Sequence, residues 1–111
     1  MYVPTIEEVL EEEFSKVYRE IREKFRVPRL FKRRYASRRG FVNAIIELYY
    51  FVSKLKFKHG FKASISLKMG RVIATANRED NVVVLFVDVY RSFKPKKHLK
   101  RYSMRIAEYE V

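Results

Sequence analysis

The sequence predicts an α+β domain: two N-terminal helices packed on one face of a four-stranded antiparallel β-meander. Apolar residues recur every three or four positions in the first half of the chain, and from residue 61 the period changes to two. The alternating segments follow one another with short links, which suits antiparallel neighbours. With 111 residues, we expect one domain spanning residues 1–111.

Both helices carry start signals in the sequence. Thr5 opens a Thr-x-x-Glu capping box, and the apolar spacing that follows predicts a first helix ending near Arg26. Ser37 is placed to cap a second helix over residues 38–58. The basic connector between the two helices has room for a short helical turn around residues 30–35.

The second half of the chain reads as four strands. Phe61, Ile65 and Met69 belong to a strictly alternating segment, whereas the third segment is apolar almost throughout and is expected inside the sheet. The strands are predicted at residues 61–69, 71–77, 82–90 and 101–111, with a polar hairpin loop at residues 77–81 and a basic loop at residues 92–100.

The two faces of the predicted sheet differ in chemistry. One side of the third strand is purely aliphatic (Val83, Leu85, Val87 and Val89), and we assign it to the helices. The mixed sides of the other strands would form an open face on which cations frame three rings: Phe86, Tyr90 and Tyr109. Such a face can stack bases while its cations hold phosphates. An interface between two copies would use the same rings, and both interpretations stay open.

Charge is distributed unevenly along the chain. The formal net charge is +12, yet residues 1–23 hold seven acids and three bases. Residues 24–62 hold 12 Lys or Arg against one acid, together with nine aromatic rings. A strongly basic surface attracts nucleic acid or an anionic membrane surface. The alternative is an ion-crowded surface of a hyperthermophile, which the absence of Cys, Trp and Gln also suggests.

Three groups of side chains are candidates for contact with nucleic acid: the connector, the open sheet face and the basic loop. The nucleic-acid-binding candidates are Arg29, Lys32, Arg33, Arg34, Arg38, Arg39, Lys62, Lys68, Phe86, Tyr90, Arg91, Lys96, Lys97, Arg101 and Arg105. We expect Leu30, Phe31 and Tyr35 to fill the corner between the helices. In the second helix we expect Tyr49 in the core and Tyr50 as the outward ring.

No catalytic or metal-binding motif competes with these groups. Both histidines lie among lysines, no cysteine is present, and there is no glycine-rich phosphate loop. We therefore expect no enzyme activity, metal, cofactor or small-molecule substrate. Asp88 is the one strand carboxylate with catalytic promise, but it lacks the Glu-x-Lys partner of a metal-dependent nuclease, so we expect it to pair with a cross-strand Arg or Lys. No signal peptide or membrane-spanning run is seen, and we expect a cytoplasmic protein.

The layout of helices before a basic four-stranded sheet resembles the ThermoDBP-type archaeal single-stranded DNA-binding proteins and their shorter relatives. The resemblance covers most of the chain as a layout and implies that an apolar cleft flanked by cations holds single-stranded DNA, often in an oligomer. Phe86, Tyr90 and the connector arginines would take that part here. The sequence departs from the type members by showing a strand where they carry a long zipper-like C-terminal helix.

Three hypotheses follow for the function. The leading one is non-enzymatic, largely sequence-independent binding of single-stranded nucleic acid by a homo-oligomer, with single-stranded DNA favoured over RNA. The second is a viral or chromosomal structural protein whose aromatic face builds an oligomer. The third is a metal-dependent nuclease that uses Asp88.

Overall fold

The computed structural model describes residues 3–56, 60–92 and 98–107. Within these residues the predicted α+β fold is confirmed: two helices precede a four-stranded antiparallel sheet of order β1-β2-β3-β4. The elements are α1 (Ile6–Lys24), a 3₁₀ turn (Arg33–Tyr35), α2 (Arg38–Ser53), β1 (Lys62–Lys68), β2 (Val72–Glu79), β3 (Val82–Tyr90) and β4 (His98–Ala107).

Both predicted helix caps are confirmed. The Thr5 hydroxyl accepts a hydrogen bond from the Glu8 amide at 3.2 Å, and the Ser37 hydroxyl accepts one from the Gly40 amide at 3.0 Å. Helix α1 ends two residues earlier than expected. Helix α2 ends at Ser53, so the prediction of a helix to residue 58 was wrong.

Arg78 caps the end of α2. It was predicted in a polar loop, but it lies in β2 and is 5 % exposed. Its Nη1 donates to the carbonyls of Val52, Ser53 and Leu55 at 2.7, 3.0 and 3.0 Å. These are carbonyls at the helix end, where the guanidinium also meets the negative end of the helix dipole.

Two strand boundaries differ from the prediction by more than one residue. Strand β2 runs to Glu79, and the hairpin turn has shrunk to Asp80 and Asn81, with Asp80 in the left-handed region at φ 51°. Strand β4 begins at His98, inside the predicted basic loop. Residues 93–97 and the predicted strand end at residues 108–111 lie outside the described residues.

The core lies between the helices and one face of the sheet. The aliphatic side of β3 faces it as predicted, with its four residues at most 1 % exposed. The rings of Tyr18, Phe31 and Phe41 meet at the corner between the helices, with centroids 5.5–5.6 Å apart, and Leu30 is buried beside them. The expectation that the connector's apolar residues fill this corner is confirmed for Leu30 and Phe31, and Tyr35 packs half-buried against the core.

The outward ring of α2 was predicted wrongly. Tyr49 is buried as expected, but Tyr50 is half-buried, and its ring packs edge-on against Tyr49 with centroids 5.6 Å apart. Phe51 is the exposed ring of this segment, with 56 % of its surface accessible.

The connector is fixed beside one end of the sheet by close backbone contact. The Lys32 amide donates to the Met69 carbonyl at 2.8 Å, and the Arg71 amide donates to the Leu30 carbonyl at 2.9 Å. Gly70 lies between these bonds at φ 112°, and a Cβ there would stand 2.8 Å from the Leu30 oxygen. Glycine is therefore required at this turn for both conformation and space.

Candidate nucleic-acid interface

The helices leave one face of the sheet open. In the part of the chain that the structure describes, no helix packs on this face, which we call the open face. The strand register sets its side chains in four rows running from β1 to β4. The rows are Lys68, Ile73, Asp88 and Arg101; Ser66, Thr75, Phe86 and Ser103; Ser64, Asn77, Val84 and Arg105; and Lys62, Glu79, Val82 and Ala107.

The rows place four cations on the outer strands and an apolar strip between them. Lys62 and Lys68 lie on β1, whereas Arg101 and Arg105 lie on β4. The strip is formed by half-buried side chains of β3: Val82, Val84 and Phe86. Neighbouring strands are about 4.8 Å apart, so the two cationic borders are separated by roughly 14 Å.

Asp88 is buried on the open face and fully engaged. The residue is 3 % exposed, and its carboxylate accepts from Arg101 Nε at 2.7 Å and Arg101 Nη2 at 3.3 Å. His98 Nε2 lies 2.7 Å from the same carboxylate. The predicted cross-strand ion pair is thus confirmed, and its hydrogen bond raises the pKa of Arg101, which stays charged.

These contacts bear on the nuclease hypothesis. Both carboxylate oxygens of Asp88 already accept hydrogen bonds. Within residues 3–56, 60–92 and 98–107, no three His, Asp or Glu side chains are grouped so that they could hold a metal ion. The hypothesis therefore gains no support from the described residues.

Three stacking rings were predicted on the sheet, and the two that fall within the described residues lie on the open face. The Arg101 guanidinium carbon stands 4.4 Å from the centroid of the Phe86 ring, a close cation–π contact. The Tyr90 ring meets the His98 ring edge-on, with centroids 5.5 Å apart. Tyr109, the third predicted ring, lies outside the described residues.

A depression of about 480 Å³ lies on this face next to Phe86, and we call it the Phe86 depression. Its lining residues come from β2, the hairpin turn, β3 and β4: Asn77, Glu79, Asp80, Asn81, Val82, Val84, Phe86 and Arg105. The size falls within the roughly 300–1,000 Å³ typical of small-molecule sites.

Sequence reasoning missed Asn77 as a side chain of this surface because it placed the residue at the boundary between the second strand and the hairpin loop. The signal was present, since Val72, Ala74 and Ala76 continue the inward alternation and leave Asn77 on the outward side. The Ser64 hydroxyl donates to Asn77 Oδ1 at 2.5 Å, which fixes the amide across the β1–β2 pair.

The structure separates the connector cations from the open face. Arg38 donates to the Ser15 hydroxyl of α1 at 3.1 Å, and it lines a cleft with Arg39 and Glu11 on the helix layer. Arg34 lies over the Tyr35 ring, 5.8 Å from its centroid. These arginines therefore form a second cationic surface on the helix layer, and the connector that precedes α2 is joined to the sheet by backbone hydrogen bonds beside the β1–β2 turn.

The remaining predicted cations are spread over the molecule. Arg29, Lys32 and Arg33 are exposed in the connector, and Arg29 has a left-handed backbone at φ 53°. Arg91 is exposed after β3, and its carbonyl accepts from Arg71 Nη1 at 2.7 Å. Two further candidates lie outside the described residues, namely Lys96 and Lys97.

Comparison with known proteins gives no match. No family model fits the sequence, and neither a curated protein nor a solved structure matches the chain. The resemblance to the ThermoDBP-type proteins therefore stays a prediction. No helix among the described residues is both long and apolar enough to cross a membrane.

Proposed function

We propose that the open face binds single-stranded nucleic acid, without catalysing a reaction on it and largely without regard to sequence. One observation carries the proposal: an apolar strip with an aromatic ring lies between two cationic borders, on a face that no described helix covers. Bases would lie on the strip, and phosphates would meet the cations of β1 and β4.

The arrangement favours a single strand over a duplex. A duplex offers its phosphates but keeps its bases stacked inside, so it would leave the strip from Val82 to Phe86 without a partner. A single strand can turn its bases toward the strip while its backbone stays near the cations. Single-stranded DNA is the favoured ligand, and RNA presents the same two features.

The charges on the face set the expected salt dependence. Lys68 and Arg105 have no carboxylate partner among the described residues, whereas Arg101 pairs with Asp88 and Lys62 lies 3.6 Å from Glu79. Each phosphate neutralised by a cation contributes about −0.7 to the slope of log affinity against log salt for single strands. Two to four engaged cations give a slope of about −1.4 to −2.8.

Fluorescence anisotropy tests this with a labelled thymidine oligonucleotide of about 12 nucleotides and a duplex of equal length. We expect the single strand to bind more tightly, with the slope given above between about 50 and 200 mM salt. Binding that ignores salt, or equal affinity for the duplex, would refute the proposal.

A matched pair of variants locates the site. Arg105→Ala removes an exposed arginine from the open face, and Arg39→Ala removes an exposed arginine from the helix layer. We expect Arg105→Ala to weaken binding and reduce the slope by about 0.7, with Arg39→Ala close to wild type. The reverse result would place the binding site on the cationic surface of the helix layer.

The same apolar strip supports a second candidate, an oligomer built on the open face. The strip is a continuous apolar surface along β3, and exposed apolar patches of this kind often mark protein–protein contacts. Light scattering of wild type and Val84→Lys distinguishes the two. A wild-type oligomer that becomes monomeric in the variant would favour this candidate, whereas a wild-type monomer would exclude it.

A further inference from the structure

The Phe86 depression has an apolar floor with polar groups on both sides. Val84 lies at its centre, directly opposite Asn77 on β2 and Arg105 on β4. Phe86 and Val82 flank Val84 along the strand on the same face. An apolar lining with a few convergent polar side chains is typical of small-molecule sites.

The Arg101 guanidinium packs against the Phe86 ring. Arg101 lies over the ring and is itself fixed by its two hydrogen bonds to buried Asp88. Along β3, Arg101 approaches Phe86 from the side of Asp88, its partner in the strand register. The depression lies on the other side of Phe86, over Val84. A planar ligand in the depression would therefore stack on the ring without displacing the guanidinium.

The polar groups on the two sides of the depression are hydrogen-bond donors. Asn77 uses its oxygen to accept from Ser64, so its amide NH₂ is left for a ligand. Arg105 can only donate, and no described carboxylate pairs with it. Two carboxylates line the hairpin end of the depression, and both have partners. Glu79 lies 3.6 Å from the Lys62 ammonium, and Asp80 Oδ1 accepts from the Gly60 amide at 2.7 Å.

We propose that the Phe86 depression is a subsite for one nucleobase that carries ring carbonyl oxygens, such as thymine or uracil. The base stacks on Phe86, and its carbonyl oxygens accept hydrogen bonds from Asn77 and Arg105. This inference rests on the proposed function and adds a preference within it, because adenine has no carbonyl oxygen. Binding elsewhere on the face remains indifferent to the base.

The stacking part is tested by comparing the thymidine oligonucleotide with an abasic strand of the same length, which keeps every phosphate. We expect the thymidine strand to bind more tightly, and Phe86→Leu to lose roughly 5- to 150-fold of that preference. Leucine keeps an apolar side chain but removes the flat ring, and circular dichroism checks that the variant folds.

The outcomes separate the subsite from the proposed function. Equal affinity of wild type for the two strands would overturn the subsite and leave phosphate-driven binding standing. No binding to either strand would overturn the proposed function as well. An unchanged preference for the thymidine strand in Phe86→Leu would show that the bases are bound elsewhere.

The hydrogen-bonding part is tested with the ratio of thymidine to adenosine oligonucleotide affinities, measured in wild type and in Asn77→Ala. Self-stacking of adenosine strands cancels when the two ratios are compared. We expect Asn77→Ala to lower the ratio by roughly 2- to 10-fold. Thr75→Ala is the matched control, because Thr75 lies on the same face of β2 and pairs with Ser66 outside the depression.

The control also defines the refuting result. A ratio that Asn77→Ala leaves unchanged, or that Thr75→Ala lowers equally, would overturn the assignment of Asn77 as a donor to the base. Both residues are half-buried on the surface, so we expect both variants to fold. The melting temperature of each variant is compared with that of wild type before binding is measured.

Discussion

Replacing Arg78 by methionine tests how the end of α2 is stabilised. Methionine keeps a long apolar side chain inside the fold but removes the guanidinium. The change deletes three hydrogen bonds from Nη1 to carbonyls at the end of α2 and one from Nε to the Asp80 carbonyl at 3.0 Å. The carbonyl of Val52 then loses its charged donor in a buried setting and keeps the longer bond from the Leu55 amide at 3.4 Å.

The size of the effect follows from these contacts. A hydrogen bond to a charged group contributes about 1.5–3 kcal/mol, but three of the four share one nitrogen and cannot be added in full. Water can reach part of the helix end because Leu55 is half-buried. We therefore expect Arg78→Met to lower the free energy of unfolding by about 2–4 kcal/mol. For a chain of this length that corresponds to a melting temperature about 8–15 °C lower.

Urea unfolding followed by circular dichroism measures this change, with Arg39→Met as the control. Arg39 is exposed on the helix layer, so its substitution should stay within about 0.5 kcal/mol of wild type. Hydrogen exchange should show the last turn of α2 opening first in Arg78→Met. A loss below about 1 kcal/mol, or unchanged exchange in that turn, would refute the role assigned to Arg78.

Three further predictions concern a turn, a cap and a titrating group. Gly70→Ala should lower the free energy of unfolding in urea by at least about 2 kcal/mol, because the new Cβ would press on the Leu30 carbonyl. Gly60→Ala is the control, since Gly60 has φ 77° but no atom within 4 Å of an added Cβ, and it should cost about 1 kcal/mol. Equal losses in the two variants would contradict the crowding assigned to Gly70. Ser37→Ala should lower the free energy of unfolding by about 1 kcal/mol, and unchanged stability would show that this cap does not stabilise the fold. Burial raises the pKa of Tyr102 above its usual value of 10.0, so the unfolded chain loses this proton first and stability should fall as the pH rises past about 10. Tyr102→Phe should lessen that fall in alkaline unfolding, and an identical pH profile would count against it.

The helical half of the chain shows how local chemistry decides element starts. Thr5 and Ser37 cap helices at the predicted positions because each hydroxyl reaches an amide only three residues away. The end of α2 was not predictable in the same way. It depends on Arg78, which lies 25 positions from Ser53 in the chain and reaches its carbonyl only after the sheet has formed.

The candidate site was predicted in part. Alternation along β3 and β4 placed Phe86, Arg101 and Arg105 on one face, since a strand turns successive side chains to opposite sides. Alternation could not show that Arg101 is committed to Asp88 and to the Phe86 ring, or that Asn77 joins the depression. Those contacts depend on cross-strand register, which pairs residues far apart in sequence.

The basic stretch of residues 24–62 illustrates the same division. Its composition established that the protein presents a strongly cationic surface, because charge follows directly from residue content. Only the tertiary structure decided that this charge is divided between two surfaces, with Arg38 and Arg39 on the helix layer and Lys62 on the open face. The sequence by itself determined the fold class, the caps and the two faces of the strands, since these depend on neighbours along the chain. The Phe86 depression and the buried anchor of α2 were decided by contacts between strands and helices, which exist only in the folded molecule.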